Sequence, residues 1–133
     1  MKRYVTWTEV ETYIANLYNR LKLENRLIDC PGIFTFPRGG LVLAVLLSYK
    51  TGLPILSHPA KNCIIIDDIL DTGITLKKYS DLADSKNYYI TTMFIKDNQL
   101  AEEAPFQCFI NYFEYVKEND WIVYPWEGEE KEC

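Results

Sequence analysis

Hydrophobic and polar residues follow a helical spacing in the first part of the chain. Apolar residues recur three and four positions apart and predict an amphipathic first helix whose buried face contains Val10, Ile14, Leu17 and Leu21. The residues from Thr8 to Glu11 have the form of a capping box, so we expect this helix to begin there. A nearly continuous apolar stretch over residues 41–50 predicts a second helix, buried on nearly all sides and ending at Gly52.

Segments rich in apolar and β-branched residues predict strands. They cover residues 33–36, 63–66, 88–95 and 108–115, and residues 54–56 are a candidate for a further, brief strand. Because strands and helices alternate along the chain, we expect an α/β fold in which a mainly parallel sheet carries helices on both faces. Ligands of such sheets bind at the carboxyl ends of the strands, and the polar clusters of this chain follow its predicted strands.

Length, composition and charge narrow the class of protein. The chain has 133 residues, which fits one domain, and its 48% hydrophobic and 25% charged residues are typical of a globular domain. The formal net charge of -5 disfavours a nucleic-acid partner. No apolar segment is long enough to cross a bilayer and no signal peptide is visible, so we expect a cytoplasmic protein without a membrane partner.

Cysteine and histidine residues show no metal-binding pattern. The cysteines are scattered along the chain without paired spacing, at Cys30, Cys63, Cys108 and Cys133. We therefore expect reduced thiols. Because His58 is the single histidine, we also expect no zinc site.

The clearest chemical pattern covers residues 64–75. A buried strand leads into a small polar loop that opens a helix, which we expect to continue to about residue 83. Backbone N–H groups at such a helix start, together with the hydroxyls of Thr72 and Thr75, suit a phosphate dianion. Gly73 lets the backbone approach the anion closely.

Two adjacent acids, Asp67 and Asp68, lie between this strand and its loop. A phosphate would repel them, so we expect them to face ribose hydroxyls or Mg²⁺ instead. The alternative is a strand end with two solvated acids, followed by an ordinary capped helix. The complete pattern is much rarer than an acidic strand end, and this favours the ligand site.

A second motif, Pro37-Arg38-Gly39-Gly40, follows a predicted strand and precedes the apolar helix. Its glycines free two backbone N–H groups, and Arg38 supplies a fork of donors suited to pyrophosphate. Taken alone, a Gly-Gly turn is more often only a turn. Its position in the chain relative to residues 64–75 favours the ligand-binding interpretation.

Residues 64–75 resemble the 5-phosphoribosyl-1-diphosphate (PRPP) binding signature of type I phosphoribosyltransferases, and residues 37–40 resemble the pyrophosphate loop of that family. Residues 4–7 and 121–127 extend the similarity, over most of the chain, to the bacterial xanthine-guanine members. The resemblance implies a three-layer type I fold in one domain over residues 1–133. It also implies transfer of the phosphoribosyl group of PRPP to a 6-oxopurine (guanine, xanthine or hypoxanthine), Mg²⁺ as cofactor, and a homodimer or homotetramer.

The resemblance also implies roles for the residues of the PRPP site. Asp67 and Asp68 would contact the ribose hydroxyls and the Mg²⁺–PRPP unit, with the metal held mostly through PRPP and water. Arg38 and Gly39 would bind pyrophosphate, and Asp71 would act as general acid or base at the purine N7. The full set implied to bind PRPP is Asp67, Asp68, Asp71, Thr72, Gly73, Ile74 and Thr75.

For the purine, the resemblance implies that Lys96 donates to O6, that Trp121 stacks on the base and that the Ile122 backbone meets its Watson–Crick edge. The residue types are compatible with these roles, because Lys96 follows an apolar strand at the sheet edge of the acids and a flat ring is a general way to hold a base. The alternatives are a solvated lysine and a packing tryptophan. For Tyr124 and Trp126 we expect packing.

One departure from the family lies between the apolar helix and the PRPP strand. Family members carry a long mobile loop there that closes over the reacting centre, whereas only residues 56–62 are available in this chain. Such closure excludes water from a developing oxocarbenium ion. The short loop therefore favours a second hypothesis, a non-catalytic regulator that binds PRPP or a nucleotide on the same fold, while the expected purine clamp favours the enzyme.

Overall fold

The computed structural model of the protein describes residues 1–36, 38–70, 87–97, 111–117 and 119–128. In chain order, the elements of these residues are β1 (Lys2–Tyr4), α1 (Trp7–Leu23), β2 (Ile33–Thr35), α2 (Leu41–Thr51), β3 (Ile64–Leu70), β4 (Tyr89–Asp97), β5 (Asn111–Lys117) and β6 (Trp121–Val123). The helix expected to end at about residue 83 lies outside the described residues.

The first helix, α1, begins earlier than the sequence pattern predicts. Thr6 caps it, because its side chain accepts a hydrogen bond from the Glu9 N–H at 3.1 Å while the Glu9 carboxylate accepts one from the Thr6 N–H at 3.1 Å. The capping box predicted from Thr8 to Glu11 is therefore wrong. Both candidates place a threonine three residues before a glutamate, and the earlier one is selected because Arg3 on β1 pairs with Glu9. The predicted apolar face is confirmed by the buried residues Val10, Ile14, Leu17 and Leu21.

The second helix, α2, is buried on one side only. Its fully buried residues are Leu43, Ala44 and Leu47. Every fourth residue on another side is exposed, namely Leu41, Val45 and Tyr49. The expectation of burial on nearly all sides is therefore wrong, because α2 packs against α1, β2 and β3 and the described residues leave its remaining side uncovered. Gly52 ends the helix in the left-handed conformation, with φ of 79°, as its predicted cap position requires.

Four parallel strands form the central sheet in the order β2-β3-β4-β5. Strand β3 lies inside it, with Ile64 opposite Ile33 on one side and Tyr89 on the other. Its pairing with β4 continues to Leu70, so β3 includes both acids, whereas the pattern predicts a strand of residues 63–66 that ends before them. The strand is longer because the backbone hydrogen bonds of a ladder do not depend on side-chain polarity.

The other strand predictions are largely confirmed. The strand expected over residues 88–95 is β4, and the strand expected over residues 108–115 is described from Asn111 onward as β5. The brief strand expected over residues 54–56 consists of a single parallel bridge between Ile55 and Ile33.

Both faces of the central sheet are buried. Ile64 and Ile66 belong to one core with residues of α1 and α2, whereas Cys63, Ile65 and Ile90 belong to a core on the opposite face. This alternation confirms the interpretation of β3 as a central strand buried on both faces. In the part of the chain that the structure describes, no helix is long and apolar enough to span a membrane.

Strands β1 and β6 form a separate parallel pair, with Arg3 opposite Ile122, and we call this pair the terminal ribbon. The Arg3 guanidinium attaches the ribbon to the rest of the domain. It pairs with Glu9 on α1 and donates to Glu114 on β5 at 2.8 Å. The ribbon therefore lies beside the edge of the central sheet that β5 forms.

Candidate functional site

The acidic pair, Asp67 and Asp68, lies toward the carboxyl end of β3, and both residues are half-buried. Asp67 Oδ1 accepts a hydrogen bond from the Asp68 N–H at 2.9 Å, and Asp68 Oδ1 accepts one from the Ile69 N–H at 2.8 Å. These bonds orient each carboxylate relative to its own strand.

Burial, together with the hydrogen bond and the negative charge of Asp68, raises the pKa of the Asp67 carboxyl to about 8. A cation or hydroxyl donors beside the pair would oppose this by favouring the ionised form. Among the residues that the structure describes, no group of three or more His, Cys, Asp or Glu could hold a metal. Carboxylate oxygens suit Mg²⁺, so the acidic pair is where such an ion would be held, with its remaining ligands from a bound molecule and water.

The loop Arg38-Gly39-Gly40 packs directly against the acidic pair. A Cβ atom on Gly39 would lie 2.6 Å from Asp68 Oδ2, and a Cβ atom on Gly40 would collide with Thr35 Oγ1. Glycine is required at both positions because no side chain fits between the loop and the strands. Arg38 is exposed to solvent. The structure thus brings together the two motifs that the sequence singled out.

Thr35, at the end of β2, is a residue of this region that sequence reasoning missed. It is 4% exposed, and its hydroxyl has no hydrogen-bond partner among the described residues. Most buried hydroxyls have a hydrogen-bond partner, so the unpaired Thr35 hydroxyl beside the glycine loop is a candidate contact for a bound molecule. The available sequence signal was a polar residue between Phe34 and Phe36, directly before the glycine motif.

Lys96 lies near the carboxyl end of β4 and contacts the segment that leads into β6. Its Nζ donates to the carbonyl oxygen of Asp120 at 2.6 Å, and Asp120 directly precedes Trp121. The Trp121 side chain is 66% exposed, so its ring is open to a ligand, whereas the next residue, Ile122, is buried. The three residues expected to bind the purine therefore lie in one region, and the alternative of a fully solvated Lys96 is wrong.

Tyr124 links this region to the acidic pair. Its hydroxyl donates to the carbonyl oxygen of Asp68 at 2.8 Å, and burial raises the pKa of Tyr124 so that the hydroxyl keeps its proton. Its ring stacks on Trp126, with centroids 4.7 Å apart and planes 11° apart. The packing role expected for both aromatic residues is confirmed, and the hydroxyl adds a contact that the sequence pattern did not predict.

Some expected site residues lie outside the described part of the chain. They are Pro37, Asp71, Thr72, Gly73, Ile74 and Thr75. Their roles stay predictions. The connection over residues 56–62 is described and contains neither helix nor strand, which confirms that a short polar loop precedes β3.

Comparison with known proteins identifies the fold. No protein-family model and no curated protein matches the chain. A purine phosphoribosyltransferase from Pyrococcus horikoshii is 27% identical, with 96% of this chain and 94% of that chain covered and a TM-score of 0.66. The Helicobacter pylori xanthine-guanine-hypoxanthine phosphoribosyltransferase is 18% identical, with 99% and 97% covered and a TM-score of 0.70. A protein from Neisseria gonorrhoeae with bound ppGpp is 17% identical, with 99% and 92% covered and a TM-score of 0.67.

The two named phosphoribosyltransferases match this chain over more than nine-tenths of both lengths. The match therefore extends over nearly the whole chain and is not limited to a common α/β fragment. With its parallel sheet order and buried central strand, the chain has the type I phosphoribosyltransferase fold.

Proposed function

We propose that this protein is a purine phosphoribosyltransferase, which transfers the 5-phosphoribosyl group of PRPP to a 6-oxopurine and releases pyrophosphate. The observation that carries the proposal is the close approach of Gly39 to the Asp68 carboxylate. It joins a loop suited to pyrophosphate to an acidic pair suited to ribose hydroxyls. The 27% identity to a purine phosphoribosyltransferase over nearly the whole chain adds support.

In this proposal the acidic pair and the loop hold PRPP. Asp67 and Asp68 accept hydrogen bonds from the ribose hydroxyls, and they would hold Mg²⁺ mostly through PRPP and water. Bound Mg²⁺ would neutralise part of the diphosphate charge and so improve the leaving group. Arg38 and the Gly39 N–H bind the same diphosphate from the loop side. Residues 71–75 supply backbone N–H groups and hydroxyls to the 5′-phosphate.

The purine base lies against the terminal ribbon in this proposal. The exposed ring of Trp121 stacks on the base, and the Ile122 backbone faces its Watson–Crick edge. Lys96 donates to O6 of the base. Because a lysine ammonium only donates, a 6-oxo group suits it and the 6-amino group of adenine does not. The arrangement therefore favours guanine, xanthine or hypoxanthine.

The reaction exchanges one bond at C1 of the ribose. The C1–O bond to pyrophosphate breaks, N9 of the purine forms the new bond, and C1 passes through a state that resembles an oxocarbenium ion. Arg38 stabilises the negative charge of the departing pyrophosphate, and the Asp71 carboxylate accepts the proton that N7 of the purine loses as N9 bonds to C1. Holding the two reactants in line at the strand ends supplies much of the rate.

The test is an assay with PRPP, Mg²⁺ and one base at a time, in which both nucleotide formation and PRPP consumption are measured. We expect a nucleoside 5′-monophosphate from guanine, xanthine or hypoxanthine and little product from adenine. If no base gives a nucleotide, the proposed activity is wrong. If adenine is the preferred base, the assignment of Lys96 to O6 is wrong.

A second candidate function is a non-catalytic regulator that binds PRPP or a nucleotide. The short connection over residues 56–62 favours it, because this loop cannot form a hood that excludes water. The Neisseria gonorrhoeae protein, which has a similar fold, was solved with ppGpp bound, so a protein of this fold can bind a nucleotide.

The ratio of nucleotide formed to PRPP consumed, at saturating purine, separates the two candidates. We expect slow transfer with a ratio below one, because water competes with the base at an open C1. Tight PRPP binding with a ratio near zero would favour the regulator. A ratio near one with fast turnover would show that another segment or a neighbouring subunit supplies the lid.

We also propose that the protein forms a homodimer or homotetramer. The exposed apolar stripe on α2, made of Leu41, Val45 and Tyr49, is the kind of surface that marks association sites. Light scattering coupled to gel filtration measures the mass directly. A monomer at every concentration tested would contradict this proposal.

A further inference from the structure

We propose that Tyr124 is a positioning residue that fixes the carboxylate of Asp68 for PRPP binding. The inference rests on the proposed function, and it gives a role to a hydroxyl group that the mechanism above does not use. Its basis is the peptide group between Asp68 and Ile69, which hydrogen bonds hold at both of its polar atoms.

The two polar atoms of this peptide group face different partners. Its carbonyl oxygen accepts a hydrogen bond from the Tyr124 hydroxyl at 2.8 Å, and its N–H, which belongs to Ile69, donates to Asp68 Oδ1 at 2.8 Å. The tyrosine, the peptide group and the carboxylate therefore form a chain of two hydrogen bonds. Each bond in such a chain polarises and strengthens the next. A rotation of the peptide group would disturb both.

Tyr124 is well supported for this task. It is 4% exposed. Its ring stacks on Trp126 and meets the ring of Phe94 edge-on, with centroids 5.9 Å apart. Its backbone N–H donates to Glu127 Oε1 at 2.8 Å. A hydroxyl on a ring that packing already immobilises holds its partner with little further loss of conformational entropy.

The direction of the Asp68 carboxylate decides the shape of the PRPP site. A Cβ atom on Gly39 would lie 2.6 Å from Asp68 Oδ2 and 2.8 Å from Oδ1, so the carboxylate forms the wall that faces the loop. In the proposed function, the ribose and the diphosphate bind beside this wall. Loss of the Tyr124 hydroxyl should therefore weaken the binding of PRPP more than the binding of the base.

The test compares Tyr124→Phe, which keeps the ring and removes the hydroxyl, with Tyr13→Phe. Tyr13 is a matched control because it is 2% exposed and its hydroxyl makes a 2.7 Å hydrogen bond with Thr91 Oγ1 on β4 instead of with the acidic pair. For each protein we would measure the Kd of PRPP with Mg²⁺ by calorimetry, the KM of PRPP and of the base, kcat, and the free energy of unfolding in urea.

We expect Tyr124→Phe to raise the Kd and the KM of PRPP about 3- to 10-fold, the effect of one neutral hydrogen bond, with the KM of the base unchanged. Tyr13→Phe should lower the free energy of unfolding and leave the Kd of PRPP unchanged. Trp126→Phe, which loosens the ring support and keeps the hydroxyl, should raise the same Kd by a smaller factor and serves as the test if Tyr124→Phe does not fold.

The inference is overturned if Tyr124→Phe binds PRPP as wild type does, or if Tyr13→Phe loses the same PRPP affinity. In both cases the proposed function would stand. A wild-type protein that does not bind PRPP would overturn the proposed function, and this inference with it, so the two failures are distinguished by the wild-type measurement.

Discussion

The two halves of the candidate site, which we propose to bind PRPP (the PRPP half) and the purine (the purine half), rest on different supports. The acidic pair directly follows Ile64, Ile65 and Ile66 of β3, which pair with β2 and β4 and are inaccessible to solvent. Trp121 lies on β6, a strand of three residues in the terminal ribbon, and is 66% exposed. A strand segment that is paired on both sides and buried on both faces opens only with much of the fold, whereas a short two-stranded ribbon opens locally.

This difference fits the tasks that the proposed function gives to the two halves. In that function, the acids act on atoms next to the breaking bond, where a small misplacement is costly in rate. A stacked base tolerates more variation in position. The ribbon is attached through Arg3, which pairs with Glu9 and Glu114, and through Lys96, which donates to the backbone beside Trp121. We therefore expect large effects from changes in the PRPP half and moderate ones from changes in the purine half.

The largest effect is expected from Asp71→Asn, in the segment assigned to both substrates. It should lower kcat about 10²- to 10⁴-fold, because an amide keeps the shape of the carboxylate and cannot transfer the proton. The fold and the Kd of PRPP should stay unchanged. Steady-state kinetics measures kcat, and calorimetry measures the Kd of PRPP. Asp29→Asn, on an exposed turn, is the control. A kcat close to that of wild type would remove Asp71 from proton transfer.

The next largest effect is expected from Gly39→Ala, which should break the PRPP half alone. The added Cβ would displace the Asp68 carboxylate, and overpacking of this kind costs about 5- to 150-fold in the Kd of PRPP. Gly52→Ala is the control, because it strains a left-handed residue with no atom within 4 Å of the new Cβ. We expect it to lower the free energy of unfolding and to leave the Kd of PRPP unchanged. If Gly39→Ala leaves the Kd of PRPP unchanged and Gly52→Ala raises it, the loop does not take part in PRPP binding.

A moderate effect is expected from Trp121→Ala, which tests the purine half. Loss of stacking should raise the KM of the base about 10-fold and leave the Kd of PRPP unchanged. Trp121→Phe keeps a flat ring and should recover most of the difference. If both variants behave as wild type does toward the base, Trp121 does not stack on it.

The smallest effect is expected in the attachment of the ribbon. The hydrogen bond from Arg3 lowers the pKa of Glu9 from 4.5 to about 2. Since the folded protein releases this proton more readily than the unfolded chain, the stabilisation is complete above pH 4.5 and is lost as the pH falls toward 2. Glu9→Gln keeps the cap of α1 and should lower the free energy of unfolding by about 1 kcal/mol at neutral pH.

Urea titrations of wild type and Glu9→Gln at several pH values check this prediction. The difference between the two proteins should shrink as the pH is lowered from 4.5 toward 2. The Kd of PRPP should be the same for both, because the hydrogen bonds of Arg3 go to Tyr4, Glu9 and Glu114 and not to the acidic pair. A difference that does not vary with pH would show that the ion pair contributes nothing measurable.

Local spacing was enough to predict the parts of the fold that one element determines. Side-chain periodicity predicts the buried face of α1, and a run of β-branched residues predicts the core strand β3. The conformational freedom of glycine predicts that α2 ends at Gly52. The motifs at residues 37–40 and 64–75 were found by residue type and order, because phosphate-binding chemistry requires particular donors on a strand–loop–helix path. These properties were determined by the sequence itself.

Only the tertiary structure decided the rest. Thr6 caps α1 in place of Thr8 because a strand residue, Arg3, reaches Glu9, and one side of α2 is exposed because its neighbours cover only the others. The hydroxyl of Tyr124 meets the Asp68 backbone across 56 positions of the chain. Periodicity reports on side chains within one helix or strand, whereas these contacts arise where separate elements pack together, and no local pattern of residues encodes such a meeting.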